Sequence, residues 1–297
     1  MGARRSLINQ LTAPRLGTPA ALASAGPVDD DRPSAANDRL WQGDHVARYA
    51  NRSLRPVEVV LLARYSEALS GRVVEVGCGG GRILGYLVAL GGEVHGVDIS
   101  PAMVDYCRRT YPEADVRVGD LMRLSDAVAG PLDAVFLPDN VLDFVDAEQR
   151  REALDGIRSL LAPDGVLIFC SHNLAAADGP APPVSAGMGA SGEGGALYRL
   201  AHMSVASVAT RIAHLPRQRR NRKRLRPLEV RHADYAILND IEGDYGAMHY
   251  YIRHGVQARQ LAEAGYTLIE CLEAEGTRVP EGQDGTSSWL HYVARPA

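Results

Sequence analysis

Glu75, Asp98 and Asp120 recur at nearly even intervals along the first half of the chain. Each lies in or at the end of a short β-branched run. Directly after the first comes "EVGCGGGR", with four glycines in five positions. So much backbone freedom lets a ligand approach the main chain closely. A carboxylate at the end of a second strand, Asp98, can accept both hydroxyls of a ribose. One at the end of a third, Asp120, can take an adenine amino proton. A purely structural Glu75 would be an unpaired buried charge, which costs several kcal/mol, roughly speaking.

A second group of chemically capable residues comes later. "PDNVLDF" holds Pro138, Asp139, Asn140 and Asp143, and "SHN" holds Ser171, His172 and Asn173. "LNDIEGDYGAMHYYI" adds Asp240, Glu242, Asp244, Tyr245, His249, Tyr250 and Tyr251. A histidine among such groups serves as a base or as a hydrogen-bonding orienter. Acids interleaved with aromatics suit an amine or another cation.

The elements that must position these groups alternate. "RPVEVVLLARYSEAL" (55–69) reads as a helix with Pro56 in its first turn. Strands are expected at 73–76, 93–99, 115–119, 132–138 and 166–170. Helices lie between them at 82–90, from Pro101 to Arg109, and from Asp146 to about Leu161. Gly91-Gly92 ends one helix, Ser100 caps another, and Asp146 with Gln149 makes a capping box. This rhythm implies a doubly wound α/β sheet, Rossmann-like, whose ligands bind at the carboxyl ends of the strands.

After Cys170 the rhythm breaks into an Ala/Gly/Pro/Ser-rich stretch (174–197), a helix-like stretch to about Leu215 and the basic run "RQRRNRKRLR". Two strand-like segments, 232–240 and 247–252, precede a return to helix and strands (267–274 and 287–295). The domains expected are a disordered arm (1–38), an α/β domain (39–173 and 253–297) and an inserted substrate-binding cap with a β-hairpin (174–252).

"EVGCGGGR … GVDISPAM … VGDL … LAPDG" resembles the class I S-adenosylmethionine-dependent methyltransferases, over roughly 55–173 and 255–297. The resemblance implies a seven-stranded sheet, six strands parallel and the last antiparallel. It implies S-adenosylmethionine as cofactor and S-adenosylhomocysteine as product. Gly77, Cys78, Gly79 and Gly81 would lie beneath its methionine part, with Glu75 meeting the amino group. Asp98 would hold the ribose, Ile99 and Met103 flank the adenine, Asp120 and Leu121 bind its edge, and Pro138 close strand four. Tyr49 and Trp41 would fold over the cofactor. Loop patterns resemble bacterial methyltransferases of natural products.

On that reading the acceptor site comprises Asn140, Asp143, Asn173, Tyr245, His249 and Tyr251, with His172, Tyr250 and Asp240 as catalytic groups and no metal. An amine of a small molecule or modified peptide is the favoured acceptor. A hydroxyl activated by His172 is the alternative. A non-catalytic regulator of the same fold, or an RNA methyltransferase using the basic run, would be of another class.

Composition narrows the field. A formal charge of −4 gives no global basic field for nucleic acid, and the [DN]-P-P-[YF] signature of base amino-methylation is absent. Four scattered cysteines form no C-x-x-C pair, so buried free thiols in the cytoplasm are expected. No apolar run is long enough to span a membrane.

Overall fold

The β-branched runs become the centre of a ten-stranded sheet in the computed structural model, which describes residue 37 and residues 52–178, 205–241 and 243–297, with side chains from 213 in the third stretch. Tyr49 and Trp41 lie outside the described residues, as do most of the expected arm and loop. Five parallel strands come first: β1 (Arg72–Val76), β2 (Glu93–Asp98), β3 (Asp115–Val118), β4 (Leu132–Leu137) and β5 (Leu161–Asn173). Their spatial order is β3-β2-β1-β4-β5. The order reverses beside β1, between β2 and β4, which is where ligand crevices form.

Helices cover both faces. On one side lie α1 (Pro56–Arg64), α2 (Ser66–Leu69), α3 (Leu84–Leu90) and α4 (Pro101–Thr110). Leu61, Leu69, Leu87 and Val104 from these helices bury against Val73, Ala134 and Phe136. On the other lie α5 (Leu124–Ala127) and α6 (Ala147–Leu160), whose Leu154 and Ile157 pack against Val74, Val135 and Leu167. Because strand side chains alternate, Glu75 shares the first face with Val73. The glycine stop at Gly91 (φ 87°) and the Asp146–Gln149 capping box both form. Ser100 differs from expectation: its side chain makes no cap bond, and its backbone N–H donates to Asp98.

After the short α7 (Leu174–Ala177), α8 (Val205–Leu225) carries the basic run as continuous helix. Then come β6 (Val230–Arg231), β7 (Tyr235–Leu238), β8 (His249–Ile252), α9 (His254–Glu263), β9 (Tyr266–Leu272) and β10 (Trp289–Pro296). β10 is antiparallel to β5 and β9, so the expected arrangement of the seven-stranded core holds. β5 is longer than the five residues expected. Beyond the end of β4 it pairs with β8 through His172↔Tyr251 and Asn173↔Ile252, while β10 flanks its other edge. The hairpin β7–β8 therefore continues the sheet above β4.

No helix among the described residues is long and apolar enough to cross a membrane.

Candidate functional site

The carboxyl ends of β1, β2 and β4 open into one cleft of about 1290 Å³ of empty space, open solvent included. Glu75, Gly77, Cys78, Gly79, Asp98, Ile99, Met103, Asp120, Leu121 and Pro138 all line it.

Gly77, Gly79 and Gly81 have φ of 70°, 52° and 75°, a region that glycine adopts without penalty. Their surroundings differ. A Cβ on Gly77 would stand 2.4 Å from Val141, and one on Gly81 would stand 2.4 Å from the Tyr111 ring. At Gly79 the nearest atom is Gly77 O at 3.9 Å, so this residue turns its bare side to the cleft. Gly81 is thus a packing residue and does not line the cleft.

Asp98 ties the loop to β2. Its Oδ2 accepts from Gly79 N and its Oδ1 from Ser100 N, both at 2.8 Å, leaving further lone pairs for a diol. Burial raises its pKa, which these two N–H donors partly offset. Glu75 is 1% exposed, and its Oε2 has no hydrogen-bond partner. Burial pushes its pKa well up, Cys107 adds to this, and Arg82 opposes it. An orphaned buried carboxylate oxygen on the cleft wall is a place for a cationic donor. Asp120 caps a 3-10 turn through Met122 N (3.0 Å) at the exposed rim. A bare glycine face, an orphaned acid and a strand-end diol acceptor fit the methionine and nucleoside parts of S-adenosylmethionine.

After β4, two residues have an unusual backbone: Asp139 (φ 52°), which lines the cleft, and the buried Asn140 (φ 57°). Left-handed non-glycine residues cost on the order of 1–2 kcal/mol each. The strain aims two side chains. Asp139 pairs with Arg55 (2.5 Å), Arg82 (3.2 Å) and Arg52 (3.7 Å), and Arg82 also pairs closely with Glu58. Burial would raise the Asp139 pKa, but the three arginines outweigh it and hold the carboxyl well below its usual range. Asn140 is buried, with Nδ2 at 3.3 Å from His172 Nε2 and Oδ1 without a partner.

His172 is held from behind by Asp143, through its Nδ1 (2.8 Å) and its backbone N (2.7 Å). Asp143 is fully buried and also accepts from Arg150 Nη1 and Ser171 Oγ, both at 2.6 Å. Burial works to raise its pKa, yet Arg150 and His172 lower it overall. Ahead of His172 stands Asp240, its Oδ2 at 3.7 Å from His172 Nε2 and 2.9 Å from His249 Nδ1, accepting from Tyr251 OH at 2.8 Å. Phe144, which lines the cleft, meets the His249 ring edge-on at 4.8 Å.

Four residues lie differently from the sequence expectation. Strand alternation turns Tyr250 away from His249 and Tyr251, onto Tyr235 and beneath Arg150. Asn173 spends its amide on Asp284 O, Gly285 O and Ser287 O, and its Oδ1 caps Ala175, so it pins a loop. Tyr245 lies under Arg222 of α8. Asp143 is sealed behind His172 and positions it without reaching the cleft. Sequence reasoning also missed residues. Asn37, expected in a mobile arm, is buried, with its amide on Phe144 O and Met248 O. Arg52 lines the cleft with no motif to mark it, and Phe144, which also lines it, closes the "PDNVLDF" stretch whose acids alone drew notice.

A family model described as "Methyltransferase domain" matches residues 73–165. A ubiquinone biosynthesis O-methyltransferase of Xanthomonas axonopodis pv. citri is 28% identical over 147 residues, 48% of this chain. A counterpart from Xanthomonas campestris pv. campestris is 29% identical over 150 residues. Each match spans 60% of the relative's length. Among solved structures, the CcbJ methyltransferase of Streptomyces caelestis superposes with a TM-score of 0.55 at 17% identity, covering 90% of this chain and 99% of that one. The glycopeptide N-methyltransferase MtfA, in complex with S-adenosylmethionine, gives 0.50 at 16%, covering 83% and 96%. These two likenesses establish the fold.

Proposed function

We propose that the chain, whose residues 73–165 match a methyltransferase-domain family, is a class I S-adenosylmethionine-dependent methyltransferase that methylates a hydroxyl group of a small molecule. The observation that carries the choice of acceptor is the buried Asp143–His172 pair, which meets the cleft-lining Phe144 through the His249 ring. Asp143 fixes the Nδ1–H of the imidazole, so Nε2 faces forward with Asn140 and Asp240. A hydroxyl is a poor nucleophile until its proton is drawn off, and this arrangement draws it.

The cofactor, when bound, supplies a methyl on sulfonium: the oxygen lone pair forms the new O–C bond as the C–S pair returns to sulfur. The chain's own residues do the rest. Asp98 seats the ribose, the bare face of Gly79 lies under the methionine part, and Glu75 receives the ammonium. Phe144 and Val141 exclude water between the reactants. Asn140 turns a buried polar edge toward the acceptor. The hydroxyl proton leaves toward the His172 and Asp240 side. Alignment and dehydration account for most of the rate such a site needs.

The sequence favoured an amine because of the density of acids. Asp139 and Asp143 are committed to arginines, and Asp244 to His214 and Gln218 of α8. Asp240 is bonded to Tyr251 and lies against His249. Internal cations thus take up most of the charge an ammonium would need. One observation keeps the amine reading in second place: the rings of Tyr251, His249 and His172 gather about Asp240, as cation recognition requires. The test is incubation with S-adenosylmethionine and a mixed panel of phenols, alcohols and amines, read by mass and fragmentation. Methylated hydroxyl products lost in His172→Asn support the proposal. Products carrying N-methyl alone overturn it.

A further inference from the structure

His172, Asp240 and His249 reach a common point from three chain segments: the end of β5, the turn after β7 and the start of β8. One ligand-capable atom from each lies within 4.8 Å of the others. The Asp240 Oδ2 to His249 Nδ1 separation is 2.9 Å and that to His172 Nε2 is 3.7 Å. Bonds of about 2.0–2.1 Å around a tetrahedral ion put neighbouring ligand atoms roughly 3.3–3.4 Å apart. The two measured edges lie either side of that spacing, and the His172–His249 edge, within 4.8 Å, closes as the imidazoles turn onto an ion.

Three further features favour a cation over a simple hydrogen-bonded knot. First, the Nδ1 of His172 is bonded to a carboxylate, Asp143, which Arg150 and Ser171 hold in turn. A carboxylate behind a histidine, fixing its tautomer so that the opposite nitrogen keeps its lone pair, is the usual support of a metal ligand. Second, Asp240 is itself steadied by Tyr251 OH at 2.8 Å. Third, the Asn140 amide is 1% exposed, lies 3.3 Å from His172 Nε2, and leaves its Oδ1 without a partner. Turning that amide about χ2 brings its oxygen to the His172 Nε2 side, where an ion held by that nitrogen would satisfy an atom that otherwise costs stability.

We propose that His172, His249 and Asp240, with Asn140 as an auxiliary oxygen donor, bind a divalent transition-metal cation of which zinc(II) is the reference. Two imidazoles and a carboxylate suit the borderline divalent ions better than magnesium or calcium. The chemical role of the site rests on the hydroxyl-acceptor reading above. An acceptor oxygen that joined these ligands on the ion would ionise more readily there, its proton passing to solvent. His172 is then a ligand and not the base. This departs from the expectation of no metal.

The test uses the full chain, stripped with chelator and titrated with zinc chloride by calorimetry, with metal content measured after dialysis. The expected result is one equivalent bound at micromolar affinity or tighter. Asp240→Asn and His249→Gln should each weaken it at least about 100-fold. Asp143→Asn, acting through His172, should weaken it by roughly 10–100-fold. His232→Gln, exposed and outside the cluster, should change nothing. Thermal melting guards against variants that fail to fold. Cobalt(II) absorption on the wild type gives a reading independent of them, since bound cobalt shows d–d bands that chelator removes. The proposal is overturned by a folded wild type with no saturable zinc binding, or by binding that persists in Asp240→Asn and His249→Gln. A parallel titration with S-adenosylmethionine separates the two readings. Cofactor binding without zinc leaves the methyltransferase standing with His172 as a plain proton acceptor. Zinc binding without cofactor binding removes the methyltransferase reading alone.

Discussion

Asp143 and Arg150 form an ion pair at 2.6 Å in which both side chains are 0% exposed. It is the anchor of the acceptor side. Arg150 also bonds Leu142 O, Gln257, Gln260 and Ser171, and its guanidinium lies 4.8 Å over Tyr250. α6, α9, β5 and β8 therefore meet on one arginine.

Breaking such a pair from one side leaves a buried charge with no counterion, at a cost of about 3–5 kcal/mol. Asp143→Ala and Arg150→Ala should each lose that much stability in urea denaturation. Replacing both residues with apolar side chains of similar volume should cost far less than the sum, because no charge is then stranded. A double-mutant cycle reads the difference. Additive losses would mean that the pair does not act as a unit.

Asp98 has two duties, and substitution separates them. Asp98→Ala removes the diol acceptor and also releases Gly79 N from its 2.8 Å bond. A hydrogen bond to a charged group contributes about 1.5–3 kcal/mol, so loss of two or more should weaken S-adenosylmethionine binding at least 100-fold in calorimetry. Asp98→Asn keeps one acceptor oxygen for Gly79 and should fall between wild type and alanine. Wild-type affinity in either variant would place the ribose elsewhere.

Glu75 makes cofactor affinity depend on pH. Its pKa is raised in the free chain, first by burial and then by Cys107. An ammonium beside Oε2 favours the ionised form and lowers the pKa again. Binding therefore releases a proton between the two values, and affinity rises with pH through a window whose upper end is the raised value of the free chain. Calorimetry in two buffers of different ionisation enthalpy reads the proton directly. Glu75→Gln should abolish the release and weaken binding. A wild-type enthalpy that ignores the buffer throughout that window would rule out this role.

The glycine loop and strand-end acids that line the cleft were legible in the sequence because local pattern fixes them. A glycine loop must follow β1, and strand-end acids must follow β2 and β3, whatever the rest of the chain does. The acceptor half depends on contacts between distant segments. Tyr250 and Tyr251 are chemically alike as text, and only the register of β8 against β5, Tyr251 with His172, decides which one faces the site. Asn173 looked like a substrate ligand beside His172, yet the loop before β10 claims its amide. Asn37 carried no local signal at all: its role is to satisfy two carbonyls that other segments leave open.

His291 gives a stability test apart from the chemistry. It sits on β10 opposite Cys170, 4% exposed, with neither ring nitrogen bonded. Burial lowers its pKa to about 3, with Arg55 and Arg82 helping and Asp139 opposing. In the unfolded chain the group titrates near 6.5. A depressed folded value means that protons bind the unfolded state first, so this contribution to stability is complete above pH 6.5. It is lost as pH falls toward 3, at a limiting slope of about 1.4 kcal/mol per pH unit. His291→Leu is close in volume and removes two unsatisfied nitrogens. The variant should match or exceed wild-type stability at pH 7 and lose less of it on acidification to pH 4. Parallel stability curves for the two proteins between pH 7 and pH 4 would show that another group governs the acid transition.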